Sequence, residues 1–420
     1  MSKFVKLSSI AELTVGFVGT MAKHYEDEGI PFLRSLNIKP FKIIGDDMKY
    51  VSAEFSNSLS KSILHKGDVV IVRTGIPGTC CVVPAEYDGC NCSDVVIVHP
   101  NTELVNPHYL AAYINVWGQR QIANNKVGAI QQHFNVHSAE EMLIFLPDIT
   151  EQEKIAKMIV ALNGKIENNT SVCAKLESMA KTLYDYWFTQ FDFPNADGKP
   201  YRTSGGEMVW NDQLKREIPK GWDTATINEM TKSYRGVSYD KKDLLPTPEN
   251  GVLVLRGNNI QNNRLIYDNN VAYVPHSFVA NEQRIRAHDI ILTMSSGSKE
   301  HIGKCTMFQY DSPHTYGAFL TKITPDIDKV CFVYLSMISD FFKKKIKAIC
   351  NGTGINNLTN ETFDNLVFPK PNESVLCRFE EIVAPILEKM GACEKENEEL
   401  TRLRDWLLPM LMNGQATVSD

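Results

Sequence analysis

Residues 150–187 read TEQEKIAKMIVALNGKIENNTSVCAKLESMAKTLYDYW. Apolar residues recur through this stretch with an alternating spacing of four and three, which is the heptad spacing of a coiled coil. The seam predicts a single long helix that packs against a partner helix. The alternative is an ordinary amphipathic helix on a globular core, but such helices rarely keep two apolar positions per heptad for so long. The seam positions are Ile155, Ile159, Leu162, Ile166, Cys173, Leu176, Ala180, Leu183 and Trp187, with Asn169 in the remaining place.

The start of this helix also carries a sequence signal. Thr150 is followed by Glu153 three residues later, shortly after Pro147, which is the pattern of a capping box with Thr150 as the N-cap. At about 1.5 Å per residue, a helix over this stretch spans roughly 55 Å.

Length and composition restrict the class of protein. A chain of 420 residues is too long for one core, so we expect two or more domains. No run approaches the roughly 20 apolar residues of a membrane span, and Met1-Ser2-Lys3-Phe4 lacks the apolar core of a signal peptide. We therefore expect a cytoplasmic protein with no membrane partner. The net charge of -6 does not indicate a nucleic-acid binder, so any such function must depend on local patches.

The cysteines are better interpreted as reduced thiols than as a disulfide framework, given ten of them in a chain of this length. Cys80, Cys81, Cys90 and Cys92 are close in sequence, but they lie in β-rich sequence and lack the CxxC spacing of a zinc site. The sequence therefore favours no metal site.

Several further segments can be assigned by pattern. Residues 1–147 are typical of a mixed α/β domain, with β-branched runs at Val69 to Val72 and Val95 to Val98. Residues 148–191 form the long helix, and 192–221, rich in Gly, Pro and polar residues, are predicted to be a linker. A second domain is predicted at 222–371, a second long helix at 372–412 and a tail at 413–420.

The second half of the chain repeats the first. The segment Leu33-Arg34-Ser35-Leu36-Asn37-Ile38 recurs 222 positions later as Leu255-Arg256-Gly257-Asn258-Asn259-Ile260. Asp68 recurs as Asp289 after a similar run, and Ile130-Gln131-Gln132 recurs as Ile355-Asn356-Asn357. The helices then align at a constant offset of 224. Several motifs repeated in the same order indicate a duplicated domain-plus-helix unit.

This organisation resembles the specificity subunit of type I restriction-modification systems over nearly the whole chain. The residues that carry the resemblance are the stretch Gly128 to Pro147, the helix start Thr150-Glu151-Gln152-Glu153-Lys154-Ile155-Ala156, and the linker from Gly198-Lys199-Pro200-Tyr201 to Ile218-Pro219-Lys220-Gly221-Trp222. One departure is Asn372-Glu373-Ser374-Val375, which stands where the first copy has the Glu151-Gln152 helix start.

The resemblance implies a fold and a function. The fold is a mixed α/β (α+β) architecture in which two target recognition domains are joined by two long helices, paired as an antiparallel coiled coil with pseudo-two-fold symmetry. The function is non-catalytic: each domain reads one half of a bipartite double-stranded DNA sequence. The implied partners are two methyltransferase subunits, which carry S-adenosylmethionine and modify adenine, and a restriction-translocase subunit. No cofactor is expected on this chain.

Base recognition needs side chains with two-point hydrogen bonding, namely Arg or Lys for guanine and Asn or Gln for adenine. Because the two copies are expected to read different sequences, base contacts are favoured where the copies differ. The candidates are Arg73 and Thr74 in one copy and Ser295, Ser296 and Lys299 in the other, with the amides Gln131, Gln132, Asn356 and Asn357.

Repeated or basic residues form a second group of candidates. Arg34 with Asn37, and Arg256 with Asn259, are shared by both copies, so they suit either DNA contact or a structural role. The run Lys343, Lys344 and Lys345 is either a solvated helix face or a phosphate-binding patch.

Two alternatives of other classes stand beside DNA recognition. One is a coiled-coil assembly scaffold that does not read DNA. The other is a DNA methyltransferase, since Asn106-Pro107-His108-Tyr109 is similar to the catalytic tetrapeptide of such enzymes. However, Asn106 and Pro107 also suit the N-cap and first residue of a helix, and Gly16-Phe17-Val18-Gly19 lacks a full cofactor-loop pattern.

The repeat also predicts a register for the helices. If the two long helices are antiparallel, paired positions have residue numbers that add to 566, which matches Asn169 with Asn397 and Cys173 with Cys393. A polar Asn pair in an apolar seam fixes register at some cost in stability. Pro385 lies inside the second helix and is expected to kink it near Val383.

Overall fold

The computed structural model describes residues 3–118, 121, 134–266, 271–297, 299–353, 358, 362–363 and 366–418. The chain divides into two compact units. Unit 1 comprises residues 1–168 and 396–420, and unit 2 comprises residues 169–395. The division falls within both long helices, so each unit contains a segment of each.

The helices of the described residues include the two long ones that the sequence predicts. Among the described helices, none combines the length and apolarity needed to cross a bilayer. The α-helices are α1 (Ala53–Ser58), α2 (Pro107–Tyr113), α3 (Val136–Glu140), α4 (Ile149–Tyr184), α5 (Val330–Ile338), α6 (Asp340–Thr353) and α7 (Glu373–Met412).

The caps of the long helices differ in one detail from the sequence prediction. Helix α4 begins at Ile149, and the Asp148 carboxylate accepts a hydrogen bond from the Glu151 amide at 2.9 Å. Asp148, and not Thr150, therefore caps α4, so the predicted N-cap was wrong by two residues. A carboxylate suits this place because it also interacts favourably with the helix dipole. In α7, Asn372 has the same role toward the Val375 amide at 3.0 Å.

Each unit is built around a four-stranded antiparallel sheet. In unit 1 the strand order is β2 (Ala11–Val15), β10 (Val95–Pro100), β7 (Val69–Val72) and β8 (Cys80–Val82). In unit 2 the order is β15 (Thr231–Arg235), β23 (Leu320–Pro325), β20 (Ile290–Thr293) and β21 (Cys305–Met307). The two orders are the same when the strands are counted from the start of each repeat. The duplication predicted from sequence is therefore present in the topology of the sheets, and the mixed α/β fold class is confirmed.

The central strands form because nearly all of their residues are β-branched and all are buried, which suits an interior strand. All four residues of Val69–Val72 are buried, as are all four of Ile290–Thr293. The strands of unit 1 are β1 (Lys3–Lys6), β2 (Ala11–Val15), β3 (Ile30–Leu33), β4 (Ile38–Lys39), β5 (Lys42–Ile43), β6 (Lys49–Val51), β7 (Val69–Val72), β8 (Cys80–Val82), β9 (Asn91–Cys92), β10 (Val95–Pro100) and β11 (Leu143–Leu146). Those of unit 2 are β12 (Met208–Asn211), β13 (Arg216–Pro219), β14 (Asp223–Thr226), β15 (Thr231–Arg235), β16 (Gly251–Leu255), β17 (Ile260–Gln261), β18 (Arg264–Leu265), β19 (Tyr273–Pro275), β20 (Ile290–Thr293), β21 (Cys305–Met307), β22 (Thr315–Tyr316), β23 (Leu320–Pro325) and β24 (Val367–Lys370).

In unit 1, the start of α4 packs antiparallel against the end of α7. Ile155 and Ile159 share an apolar core with Leu408 and Leu411. Polar contacts show the direction, since Asn163 Oδ1 accepts a hydrogen bond from Arg404 Nη1 at 2.9 Å, and the Ile166 carbonyl accepts one from Asn397 Nδ2 at 3.3 Å. Residue numbers rise along α4 while they fall along α7, as an antiparallel pair requires.

In unit 2, the end of α4 packs antiparallel against the start of α7. Trp187 lies in the π-helical turn Asp185–Thr189, which continues α4. Its ring centroid lies 5.4 Å from that of Phe379, and the two residue numbers add to 566 as predicted. Further along, Cys173 lies beside Cys393, and its thiol donates to the Met390 carbonyl at 3.6 Å. Burial, with Glu394 and Cys393 nearby, raises the pKa of Cys173 to about 11, so the thiol stays protonated at neutral pH. Asn169 belongs to unit 2 and Asn397 to unit 1, and their predicted pairing stays a prediction.

Pro385 does not end α7, which is one helix from Glu373 to Met412.

The segment predicted to be a linker, residues 192–221, contains regular secondary structure. Strands β12 and β13 form a hairpin within it, and Phe193 stacks on Trp222 with ring centroids 5.1 Å apart. Apolar residues among the Gly and Pro therefore anchor this segment to the core of unit 2.

An aspartate at the start of β7 and of β20 closes the preceding turn in both units. Asp68 accepts the His65 amide at 2.7 Å, and Asp289 accepts the Arg286 amide at 2.7 Å. The second carboxylate oxygen has a different partner in each unit. It contacts His99 Nδ1 at 2.7 Å in unit 1 and the Thr324 hydroxyl at 2.5 Å in unit 2.

Gln152, in the first turn of α4, is fully buried and joins three backbone groups of unit 1. Its Oε1 accepts the Asn106 amide at 2.9 Å, and its Nε2 donates to the Leu104 and Pro147 carbonyls at 3.1 and 2.9 Å. The side chain thereby ties α4 to the segment before α2.

We expect Gln152→Met to destabilise unit 1 by about 2–4 kcal/mol, because a side chain of similar size leaves buried backbone groups without partners. Hydrogen–deuterium exchange of unit 1 peptides measures this effect separately from unit 2. Lys157→Met, at an exposed position of the same helix, is the control and should change stability by no more than about 0.5 kcal/mol. Equal effects of the two substitutions would contradict the role of Gln152.

The His99 contact predicts a pH dependence confined to unit 1. The hydrogen bond to Asp68 raises the pKa of His99 above its ordinary value, and the charges of Asp68 and Glu12 act in the same direction against burial. A raised folded-state pKa adds stability that is fully present below the unfolded pKa of about 6.5 and is lost as pH rises through the folded pKa. The rate of amide hydrogen–deuterium exchange in unit 1 should therefore rise between about pH 6 and pH 8. This rise should be steeper in the wild type than in the His99→Asn variant. Identical pH profiles would rule out this linkage.

Candidate nucleic-acid interface

Eight of the twelve predicted recognition residues that the structure describes lie at one end of each sheet. In unit 1, Val72 pairs with Val95 and Val15 with Val96, so the loops after β2 and β7 meet at the start of β10. In unit 2, Thr293 pairs with Leu320 in the same way. We call these regions the loop end of unit 1 (residues 16–19, 34–37, 73–78 and 93–94) and the loop end of unit 2 (residues 236–239, 256–259, 294–297 and 317–319).

Asp94 organises the loop end of unit 1. It has a left-handed backbone conformation with φ of 60°, and its carbonyl accepts the Arg73 amide at 3.3 Å. The Ser35 hydroxyl donates to its carbonyl at 2.7 Å and to its carboxylate at 3.1 Å, and the Thr74 hydroxyl also donates to the carboxylate. The structure thus brings Arg73 and Thr74 together with the Arg34 loop, around a residue that the sequence analysis did not select.

The two arginines of this loop end have fixed orientations. Arg73 Nε donates to the Phe134 carbonyl at 3.1 Å, and Arg34 Nη2 donates to the Asp47 carboxylate at 2.9 Å. The hydrogen bond from Arg34, with the adjacent Lys49, lowers the pKa of Asp47. Asp47 is therefore a carboxylate at neutral pH and holds Arg34 in place.

Phe319 takes the place of Asp94 in unit 2. Its carbonyl accepts the amides of Met294 and Ser295 at 3.0 and 3.2 Å, as the Asp94 carbonyl accepts the Arg73 amide. Ser295 and Ser296 are partly exposed at this end. Lys299 begins a short 3-10 turn, Lys299–His301, that continues the same loop.

The repeated asparagines are internal to their units. Asn37 is fully buried, and its amide accepts from the Arg34 backbone at 3.1 Å and donates to the Ile44 and Asp46 carbonyls at 3.2 and 3.0 Å. Asn259 makes the matching bonds to the Arg256 amide and the Ile266 carbonyl, both at 2.9 Å. This placement favours the structural alternative for both asparagines, because their amide groups are used to close a loop.

The lysine run lies on the solvent side of α6. Lys343, Lys344 and Lys345 are exposed, whereas Phe342 and Ile346 on the opposite side are buried. Ile346 packs against the loop after β20 so closely that a Cβ at Gly303 would lie 3.1 Å from it. Within unit 2, the helix that carries the lysine run therefore packs, through its buried side, against the loop that carries Ser295 and Ser296.

The remaining candidate residues do not form part of the loop ends that the structure describes. Gln131, Gln132, Asn356 and Asn357 lie outside the described residues. Cys80, Cys81, Cys90 and Cys92 are buried free thiols, and the described residues contain no cluster able to hold a metal.

The tetrapeptide Asn106-Pro107-His108-Tyr109 does not form a methyltransferase active site. Asn106 caps α2 by accepting the amides of His108 and Tyr109 at 3.0 and 3.2 Å, and Pro107 is the first helical residue. Tyr109 is fully buried, and its hydroxyl donates to the Phe145 carbonyl at 2.7 Å. Neither the amide nor the aromatic ring is available to a flipped base, so this segment is structural.

The family model for the type I restriction modification DNA specificity domain matches residues 2–178 and 219–402. The chain belongs to this family. The two matched segments are the two repeats, each with most of its long helix. Members of the family are the non-catalytic, DNA-recognising subunits of restriction-modification systems, so the predicted family and its role in DNA target recognition are confirmed.

Individual relatives agree with this assignment. The HindI specificity subunit of Haemophilus influenzae is 25% identical over 440 residues, covering 87% of this chain and 91% of that protein. The StySPI specificity subunit of Salmonella potsdam is 28% identical over 211 residues, which cover 48% of this chain and only 45% of that protein. The crystal structure of the S subunit from M. genitalium has the same fold, with a TM-score of 0.59, 14% identity and coverage of 98% and 96% of the two chains.

We expect Asn37→Ala or Asn259→Ala to lower the stability of its own unit by about 2 kcal/mol, since each leaves buried backbone groups unpaired. The DNA sequence preference of the specificity chain should be unchanged, as measured by selection from a randomised duplex library. Gln261→Ala, at an exposed position of the same loop region, is the matched control and should be neutral. A changed preference without loss of stability would instead make these asparagines base contacts.

Proposed function

We propose that the chain reads a bipartite double-stranded DNA target, with one half-site contacted by the loop end of each unit. The observation that carries this proposal is the pair of equivalent loop ends on sheets of the same topology, with different residues at corresponding places. A shared scaffold supports the same approach to DNA, while differing loop residues permit different sequences to be read.

Base contacts are assigned to the parts of the loop ends that differ. In unit 1, the Arg73 loop presents a guanidinium and the Thr74 hydroxyl beside Asp94. In unit 2, the corresponding loop presents Ser295 and Ser296. Hydroxyl groups donate to or accept from several bases, whereas a guanidinium selects guanine. Substitutions at Ser295 or Ser296 should therefore change the preferred sequence of one half-site.

Phosphate contacts are assigned to the basic face of α6 in unit 2. Lys343, Lys344, Lys345 and Lys347 are all exposed on this helix. Such a face lowers the free energy of binding for any DNA sequence by displacing counterions from the backbone. Because the net charge of the chain is -6, this local patch has to overcome an unfavourable overall charge.

The proposed partners are those of a type I modification and restriction complex, namely two methyltransferase subunits and a restriction-translocase subunit. S-adenosylmethionine is assigned to the methyltransferase subunits and not to this chain. Support comes from apolar residues exposed at equivalent places of the two long helices, Met179 at 53% and Leu403 at 43%. Equivalent surfaces suit two copies of one partner. A chain that reads genomic DNA works in the cytoplasm of bacteria and archaea.

A footprint tests this function directly. The full-length chain, purified with the modification subunits that accompany it, should protect two short half-sites separated by an unprotected or sequence-independent gap. Uniform protection of any sequence would instead favour a scaffold that binds DNA without reading it. Mapping methylated adenines in cells with and without the gene then gives the target sequence.

Lys343→Glu should weaken binding to target and random duplexes by the same factor, because a phosphate contact carries no sequence information. The slope of log K against log salt should fall by about 0.9 for one lost contact. Lys215→Glu, at an exposed lysine in the turn between β12 and β13, is the matched control and should leave both quantities unchanged. A substitution at Lys343 that changes the preferred sequence, and not the salt slope, would contradict the phosphate assignment.

A further inference from the structure

The most exposed apolar side chains are concentrated at the loop ends. Of the large apolar residues described, Val18, Ile76, Phe319 and Ile327 are at least 70% exposed. Val18 and Ile76 lie at the loop end of unit 1, and Phe319 lies at that of unit 2. A single exposed apolar residue needs no explanation, but three of the four most exposed ones at corresponding ends of two sheets indicate a contact surface.

Phe319 is presented by a rigid turn. In addition to the two amides bound to its carbonyl, the Leu320 amide donates to the Gly317 carbonyl at 2.8 Å, and the Ala318 amide donates to the Val237 carbonyl at 2.9 Å. The backbone on both sides is thereby held by the sheet. The backbone that carries the ring is fixed before any ligand arrives, which reduces the conformational entropy lost on binding.

The apolar residues stand at different places in the two units. Val18 follows Phe17, whose bridge to Ser93 corresponds to the bridge between Val237 and Gly317 in unit 2, so Ser238 occupies the place of Val18. Phe319 occupies the place of the acidic Asp94. Each loop end therefore has its own apolar pattern, as expected of residues that distinguish one half-site from another.

The chemistry of the major groove limits what an apolar side chain can read there. The thymine 5-methyl group is the apolar feature of the base edges, whereas the other positions are hydrogen-bond donors and acceptors. The modified base proposed above is adenine, so the target contains at least one A·T pair and hence a thymine.

We propose that Phe319 in unit 2 and Ile76 in unit 1, with Val18 beside it, recognise thymine through apolar contact with its 5-methyl group. This inference rests on the proposed function, since it assigns to particular residues part of the half-site recognition described there. It also explains why three large apolar side chains remain in water at these ends.

Deoxyuridine substitution tests the inference, because deoxyuridine lacks only the methyl group. Once the bipartite target is known, each thymine is replaced in turn and the affinity of the full-length chain with its modification subunits is measured. The wild type should lose about four-fold at one or more thymines of each half-site, which is the effect expected for one buried methyl group.

Alanine variants should show which half-site each apolar residue contacts. Phe319→Ala should abolish the thymine–deoxyuridine difference in one half-site and keep it in the other, and Ile76→Ala should do the reverse. Ile327→Ala is the matched control, because Ile327 is 80% exposed in the same unit as Phe319 but follows the opposite end of β23, roughly 20 Å along the strand. It should keep both differences.

The outcomes also distinguish this inference from the function on which it rests. A bipartite target with no thymine–deoxyuridine difference, or a difference that survives both alanine substitutions, overturns the methyl contact and leaves bipartite recognition intact. Loss of co-purifying subunits in Phe319→Ala, with the base preference unchanged, overturns it as well and makes the ring a protein contact. Failure of the wild type to select any bipartite target overturns both.

Discussion

The apolar seam between α4 and α7 is the contact on which both units depend. Unit 1 joins the start of α4 to the end of α7 through Ile155, Ile159, Leu408 and Leu411. Unit 2 joins the π-helical turn after α4 to the start of α7 through Trp187 and Phe379. Because the pairing is antiparallel, the core of each unit is completed by residues more than 190 positions away in the chain. Burial of such side chains contributes about 1.5–3 kcal/mol each, so weakening the seam removes stability from both units.

The duplicated scaffold separates what must stay the same from what must vary. Buried Asn37 and Asn259 close the same loop with the same backbone partners, and Asp68 and Asp289 close the same turn. These contacts hold the loop ends at a defined place relative to their sheets. The exposed side chains beyond them are then able to change without loss of stability, which is the property a reading surface needs.

The equivalent aspartates Asp68 and Asp289 have different side-chain partners in the two units. In unit 1, Asp68 contacts the partly exposed His99, whose charge depends on pH. In unit 2, the buried Asp289 contacts the Thr324 hydroxyl and the ammonium of Lys322, whose Nζ lies 3.3 Å from the carboxylate and also donates to the Arg284 carbonyl. A buried pair of this kind is satisfied only when each charge has its full set of partners, so removing either partner is more destabilising than the pair itself is stabilising.

The sequence by itself determined the duplication and the two long helices, because the heptad spacing and the constant offset of 224 are local or periodic signals. It also indicated the loops after β7 and β20. It left open whether the asparagine of the Arg-x-x-Asn motif is buried or exposed, and it missed Asp94 and Phe319. Only the tertiary structure decided these points, because the burial of Asn37 depends on the carbonyls of Ile44 and Asp46, and the exposure of Phe319 depends on a turn held by three other strands or loops. Hydrogen bonds and exposure of this kind arise from contacts between segments distant in sequence, which no local pattern encodes.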